Sequence, residues 1–125
     1  MAVLRETIEQ IYEQYWSCAN AADWETLLEF FSDDCSFTNS AMQVVIEGKA
    51  SLRELARSWP AVENVPEWHA IDGNRLVVSW QERPKDAVDK ASYRGVSSFL
   101  FDDEAKISEY VGTFNMQEVI DAFAE

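Results

Sequence analysis

The second half of the chain is almost entirely strand-like, and this constrains the fold more than any other feature. Residues 67–71, 75–81, 93–101 and 106–114 are rich in β-branched and aromatic residues. Asp72-Gly73-Asn74 reads as a hairpin turn between the first two, and Asp102-Asp103-Glu104-Ala105 turns the last hairpin. Residues 84–90 form a polar loop. Such a run of antiparallel strands needs a cover for its apolar face, and the first half of the chain supplies helices. Leu4, Ile8, Ile11, Tyr12, Tyr15, Trp16 and Ala19 recur at three- and four-residue steps, so residues 3–19 are an amphipathic helix. Asp23 is an N-cap for a second helix from Trp24, with Trp24, Leu27, Leu28 and Phe31 as its stripe and Asp33-Asp34 as its end. Short strands follow at 35–39 and 44–47, then a third helix over 49–58, stopped by Pro60. Two prolines make 60–66 a loop, and 115–123 is a short terminal helix. Helices first and strands later define an α+β fold with the helices on one face of the sheet.

At 125 residues the chain is expected to be one domain, 1–125. The net charge of −13 argues against nucleic acid, whose phosphates need a cationic footprint, and against an anionic membrane surface. No apolar run approaches the roughly 20 residues of a membrane span, and the first ten residues lack an apolar signal core. A cytoplasmic protein is expected. Cys18 and Cys35 lack metal-ligand spacing, and with a single histidine, His69, neither metal nor cofactor is expected. Five Trp, four Tyr and seven Phe demand either an aromatic core or a ring-lined cavity.

The order of these pieces resembles a known family. The helical Tyr15, the Asn20-Ala21-Ala22-Asp23-Trp24 break, Phe31-Ser32-Asp33-Asp34-Cys35, Gly48-Lys49-Ala50-Ser51-Leu52, Gly73-Asn74-Arg75 and the closing Phe101–Ile107 hairpin match its pattern. The chain is similar to the nuclear-transport-factor-2-like superfamily, of the SnoaL-like and ketosteroid-isomerase-like kind. The resemblance implies a cone-shaped, curved, mainly antiparallel sheet capped by three helices around a pocket for a small hydrophobic molecule. It also implies a homodimer through the open face of the sheet.

Ketosteroid isomerases use a helical tyrosine, a strand carboxylate as base and a second acid. The resemblance places Tyr15 at the tyrosine, Asn39 at the base and Ser97 at the second acid. An amide cannot take up a proton at neutral pH, so that mechanism lacks its base. In the limonene-epoxide-hydrolase pattern Asn39 matches the asparagine, and Phe37 stands where a tyrosine is expected. Gln81 and Arg83 stand where arginine and aspartate belong, and Gly112 replaces the acid of the last strand.

Strand alternation extends the lining. If Asn39, Gln81 and Ser97 point inward, so do Phe37, Val77, Ser79, Phe99 and Phe101, with Tyr110, Gly112 and Phe114 on the last strand. Leu76, Val78 and Trp80 then form an outward apolar patch suited to dimerisation. The expected pocket is aromatic, with neutral polar groups and no carboxylate. Tyr15 and Asn39 would polarise a substrate oxygen, and His69 would carry the proton. Ligand contacts are expected from Phe37, Ser79, Gln81, Ser97, Phe99, Tyr110 and Phe114. The functional expectation is an isomerase, cyclase or hydrolase acting on a carbonyl, epoxide or polyketide-like substrate. The alternative is a non-catalytic ligand-binding or dimeric interaction module.

Overall fold

In a computed structural model, which describes residues 3–85 and 92–124, the expected α+β architecture is present. Helices α1 (Arg5–Asn20), α2 (Trp24–Leu28) and α3 (Lys49–Ala56) cover a six-stranded curved sheet, and α4 (Met116–Phe123) closes the chain. The strands are β1 (Phe31–Asn39), β2 (Val44–Glu47), β3 (Val62–Asp72), β4 (Arg75–Pro84), β5 (Tyr93–Phe101) and β6 (Ile107–Phe114). Their spatial order is β2-β1-β6-β5-β4-β3. Every pairing is antiparallel except β1 with β6, which is parallel. That junction lets the last strand close against the first. Most of the expected polar loop, residues 86–90, lies outside the described residues.

The helix caps follow the sequence. Asp23 accepts a hydrogen bond from the Thr26 amide at the start of α2, and Asn115 accepts one from Glu118 at the start of α4. Two boundaries differ from expectation. The second helix ends at Leu28, because Phe31 is already pairing with Ile107 in the sheet and the Ile107 amide donates to the Phe30 carbonyl. Residues 62–66, expected as loop, belong to β3. This strand lies at the sheet edge, and its register shifts between Pro66 and Trp68, so the missing Pro66 N–H interrupts nothing.

A third difference matters for the site. On β4 the inward set is Leu76, Val78, Trp80 and Glu82, not Val77, Ser79 and Gln81. Leu76, Val78 and Trp80 are buried, and register pairs them with Phe99, Ser97 and Gly95 of β5. Directly opposed residues share a face. The heavier apolar set therefore takes the core, and Leu76, Val78 and Trp80 cannot form an external patch. They join Ile8, Leu27, Phe31, Leu52, Phe99 and Ile107 in one continuous core.

Candidate active site

Between the helices and the inner face of the sheet lies a cavity of about 270 Å³. Half of its lining is aromatic, drawn from α1, α2, α4, the strands and Trp59, three residues past the end of α3. Phe37 and Tyr110 lie stacked, centroids 4.4 Å apart, and Trp24 meets Trp59 edge-on at 5.2 Å. Phe123 of α4 reaches in beside Tyr93, with their centroids 6.0 Å apart.

Two glycines make this packing fit. Gly95 lies opposite Trp80, and a Cβ on it would come within 2.3 Å of the Trp80 ring. The indole therefore crosses β5 and donates from Nε1 to Ser97 Oγ at 2.8 Å. Ser97 Oγ lies 2.8 Å from the Tyr110 hydroxyl. A Cβ at Gly112 would come within 2.6 Å of the Tyr110 Oη. The space that an acid on the last strand would take is occupied by the Tyr110 phenol.

The residues singled out in the sequence fall into three groups. Tyr15, Phe37, Asn39, Tyr110 and Phe114 line the cavity. Ser97 stands one hydrogen bond behind it, and Phe99 packs edge-on against Tyr15 and Tyr110 at 5.1 Å from each. Asn39 Oδ1 accepts from the Met42 amide in the β1–β2 turn, which fixes the side chain at the cavity wall. Ser79 and Gln81 are turned to the outer face, where Gln81 bonds Glu67 and Ser92. They are brought there by the β4 phase and are not part of the lining. His69 is also outside it. Its Nε2 lies 2.9 Å from Glu9 Oε2, and its ring packs on Tyr12 at 4.4 Å, beneath α1.

The carboxylate not expected from the sequence is Glu82, on the cavity wall. It accepts a 2.9 Å hydrogen bond from the Tyr93 hydroxyl through Oε1. Burial raises its pKa to about 7, against the opposing effect of the Tyr93 bond. The same burial drives the Tyr15, Tyr93 and Tyr110 phenols upward, and Glu82 adds to the rise in all three. These hydroxyls are therefore neutral donors, grouped around one carboxyl group that is half-ionised near neutrality. Opposite Glu82 on β3 is Asn64, buried and joined to Asn20 of α1 by three hydrogen bonds. Among the described residues two buried polar atoms of the lining have no partner, Trp16 Nε1 and Asn64 Oδ1. The signal for Glu82 was present in the sequence. Extending the Leu76-Val78-Trp80 alternation two residues further ends on it.

A closed helix layer over a mixed, curved sheet with an aromatic cavity is the nuclear-transport-factor-2-like fold. Residues 12–110 match the SnoaL-like domain, and the chain belongs to that family. Comparison with curated proteins gives no match. Among solved structures, an NTF2-like protein of unknown function from Burkholderia pseudomallei superposes with a TM-score of 0.82 at 15% identity, covering 95% of this chain and 98% of that one. A Kribbella flavida protein assigned as a ketosteroid isomerase gives 0.76 at 17% identity, over 88% and 78% of the two chains. The epoxide hydrolase/cyclase-like enzyme SalBIII, of pyran ring formation in the polyether salinomycin, gives 0.75 at 21%, over 88% and 92%. At these identities the likeness is one of fold.

Proposed function

We propose that the cavity binds a small hydrophobic molecule and that Glu82 exchanges a proton with it, in an isomerisation, cyclisation or hydrolysis of a carbonyl, epoxide or polyketide-like substrate. One observation carries this reading: the lining includes a carboxyl group poised near pH 7 and held in place by Tyr93. A base or acid is most effective when its pKa lies near the working pH. Tyr15 and Tyr110, neutral and protonated, supply donors for a developing oxyanion. The proton carrier is thus Glu82 in place of His69. The test is turnover of a panel of unsaturated ketones and epoxides between pH 5 and 9. The reading expects a rate that changes through an apparent pKa near 7 and drops to background in Glu82→Gln. A rate kept by that variant would reject it.

The non-catalytic alternative draws support from Gly112, which leaves β6 without an acid facing the cavity. It expects ligand binding without turnover anywhere in the panel.

A homodimer through the outer sheet face is part of the proposal, with a different patch from the one the alternation suggested. Trp68, 55% exposed, and Val96, 39% exposed, flank Ser79 in one cross-strand row. Val77 and Val111 flank Ser98 in the next. Exposed apolar rows of this kind favour burial against a second surface. Among the described residues no helix is long and apolar enough to cross a membrane, and the reading places the protein in the cytoplasm.

A further inference from the structure

We propose that the molecule bound in this cavity is an apolar amine, protonated and carrying at least two N–H groups, whose ammonium sits between Glu82 and Asn64. The inference rests on the cavity being the ligand site and names the class of ligand.

Three independent observations converge on it. First, the inner faces of β3 and β4 present two acceptors side by side with too few donors. Asn64 and Glu82 are directly paired across the strands. Asn64 Oδ1 is buried and has no partner among the described residues. The amide cannot be turned round to cure this, because its Nδ2 donates to Asn20 Oδ1, an oxygen that already accepts from the Asn64 backbone amide. Glu82 receives one hydrogen bond among the described residues, from Tyr93, and an ionised carboxylate can accept several. Second, among the described residues the carboxylate has no cation. The described lining contains no lysine, arginine or histidine. Arg83, next in sequence, pairs with Glu63, and Lys85 donates to the Asn20 carbonyl. Third, the rest of the wall is ring-lined. Aromatic faces attract a cation by their quadrupole, and the attraction grows when water is excluded. An ammonium supplies the missing donors and the missing charge together. A ketone or epoxide that also carries such an amine is held by it; one without an amine leaves both unmet.

The groups facing Glu82 are Tyr93 of β5, Tyr15 of α1 and Tyr110 of β6, all protonated, with Asn64 of β3. From α4, Val119 and Phe123 face the cavity, while Glu118 accepts from the Arg94 amide and Asp121 from Gln117. None of these competes for the cation. Bound ammonium would hold Glu82 in its ionised form, which is the form able to act as a base.

The experiment compares 2-phenylethylamine with 2-phenylethanol by isothermal titration calorimetry on the whole chain. At pH 8 the amine should bind about tenfold to a hundredfold tighter, as a charge-assisted contact does in a dry site. Glu82→Gln should bring the two ligands to parity. In the wild-type chain near pH 7, amine binding should release about half a proton, seen as a dependence of the heat on the buffer, and the alcohol should release none. This second measurement stands even if the variant does not fold. Phenyltrimethylammonium, a cation without N–H groups, should bind more weakly than the amine. Equal affinity of amine and alcohol, or no proton release, would overturn the amine and leave the hydrophobic cavity. A quaternary cation bound as tightly as the amine would overturn the role given to Asn64. Failure of every probe to bind would remove the ligand cavity itself, and the amine with it.

Discussion

Tyr93 and Glu82 face each other across β5 and β4 in direct register, and the phenol donates a 2.9 Å hydrogen bond to the carboxylate. The tyrosine favours the ionised form while burial favours the neutral one, and burial dominates. The balance leaves a carboxyl group whose charge changes near neutrality, inside a cavity walled by aromatic rings.

That balance predicts how stability depends on pH. The folded pKa of Glu82 is about 7, against 4.5 in an unfolded chain. Below pH 4.5 both states hold the proton and Glu82 costs nothing. As pH rises toward 7 the unfolded chain gives up its proton first, so stability falls, and it levels off above 7. The neutral Glu82→Gln variant should be more stable than the parent at pH 8, by about 3 kcal/mol, and no more stable at pH 4. Urea denaturation at the two pH values checks this. A difference that does not change with pH would mean that the carboxyl group is ordinary.

Gly95→Ala is expected to disturb the Trp80 indole, since the new Cβ would lie 2.3 Å from it. Strain of this kind in a packed interior costs roughly 1–3 kcal/mol. The indole should swing away from Ser97, which a shift in Trp80 fluorescence or in its Nε1 proton resonance would report.

Ser97→Ala removes the acceptor of the Trp80 Nε1 proton and the neighbour of the Tyr110 hydroxyl. A buried donor left without a partner costs about 1–3 kcal/mol. Ser97→Thr keeps the hydroxyl and should recover part of the loss. Thermal melting of the pair separates the hydrogen bond from the packing.

Asn20→Ala breaks the three hydrogen bonds that tie the end of α1 to Asn64. The Asn64 backbone amide would be left buried, at a cost of about 1–3 kcal/mol. Amide hydrogen exchange should then accelerate at the start of β3 and leave β5 unchanged.

On the outer face, Trp68→Arg puts charge into the apolar row and should turn a dimer into a monomer without lowering the melting temperature of the isolated fold. Light scattering at micromolar concentration is the measurement. A mass that stays at that of one chain in the parent protein would remove the dimer from the proposal.

The order of elements could be read from the sequence because each carries its own local signal. The α1 stripe, the Asp23 cap and the Gly73 hairpin do not depend on anything distant. The cavity positions of Tyr15, Asn39 and Tyr110 followed from the family resemblance and from alternation on β1 and β6. What failed was phase on β4. Gln81 looked inward by its likeness to another site, but the pairing of Trp80 with Gly95 decides the matter, and pairing is a long-range property. His69 failed for a related reason. Its strand position gave no hint that Glu9 and Tyr12 of the first helix would lie over it.

The parallel contact between β1 and β6 has a further consequence, for how the molecule reaches its native state. Strands from the two ends of the sequence must meet before the curved sheet is complete, and contacts so far apart in sequence form slowly. Asn39 on β1 and Tyr110 on β6 reach the same cavity only through that contact. A molecule that fits there holds shut a joint that the chain alone must find by search, and it raises the population of finished protein by mass action.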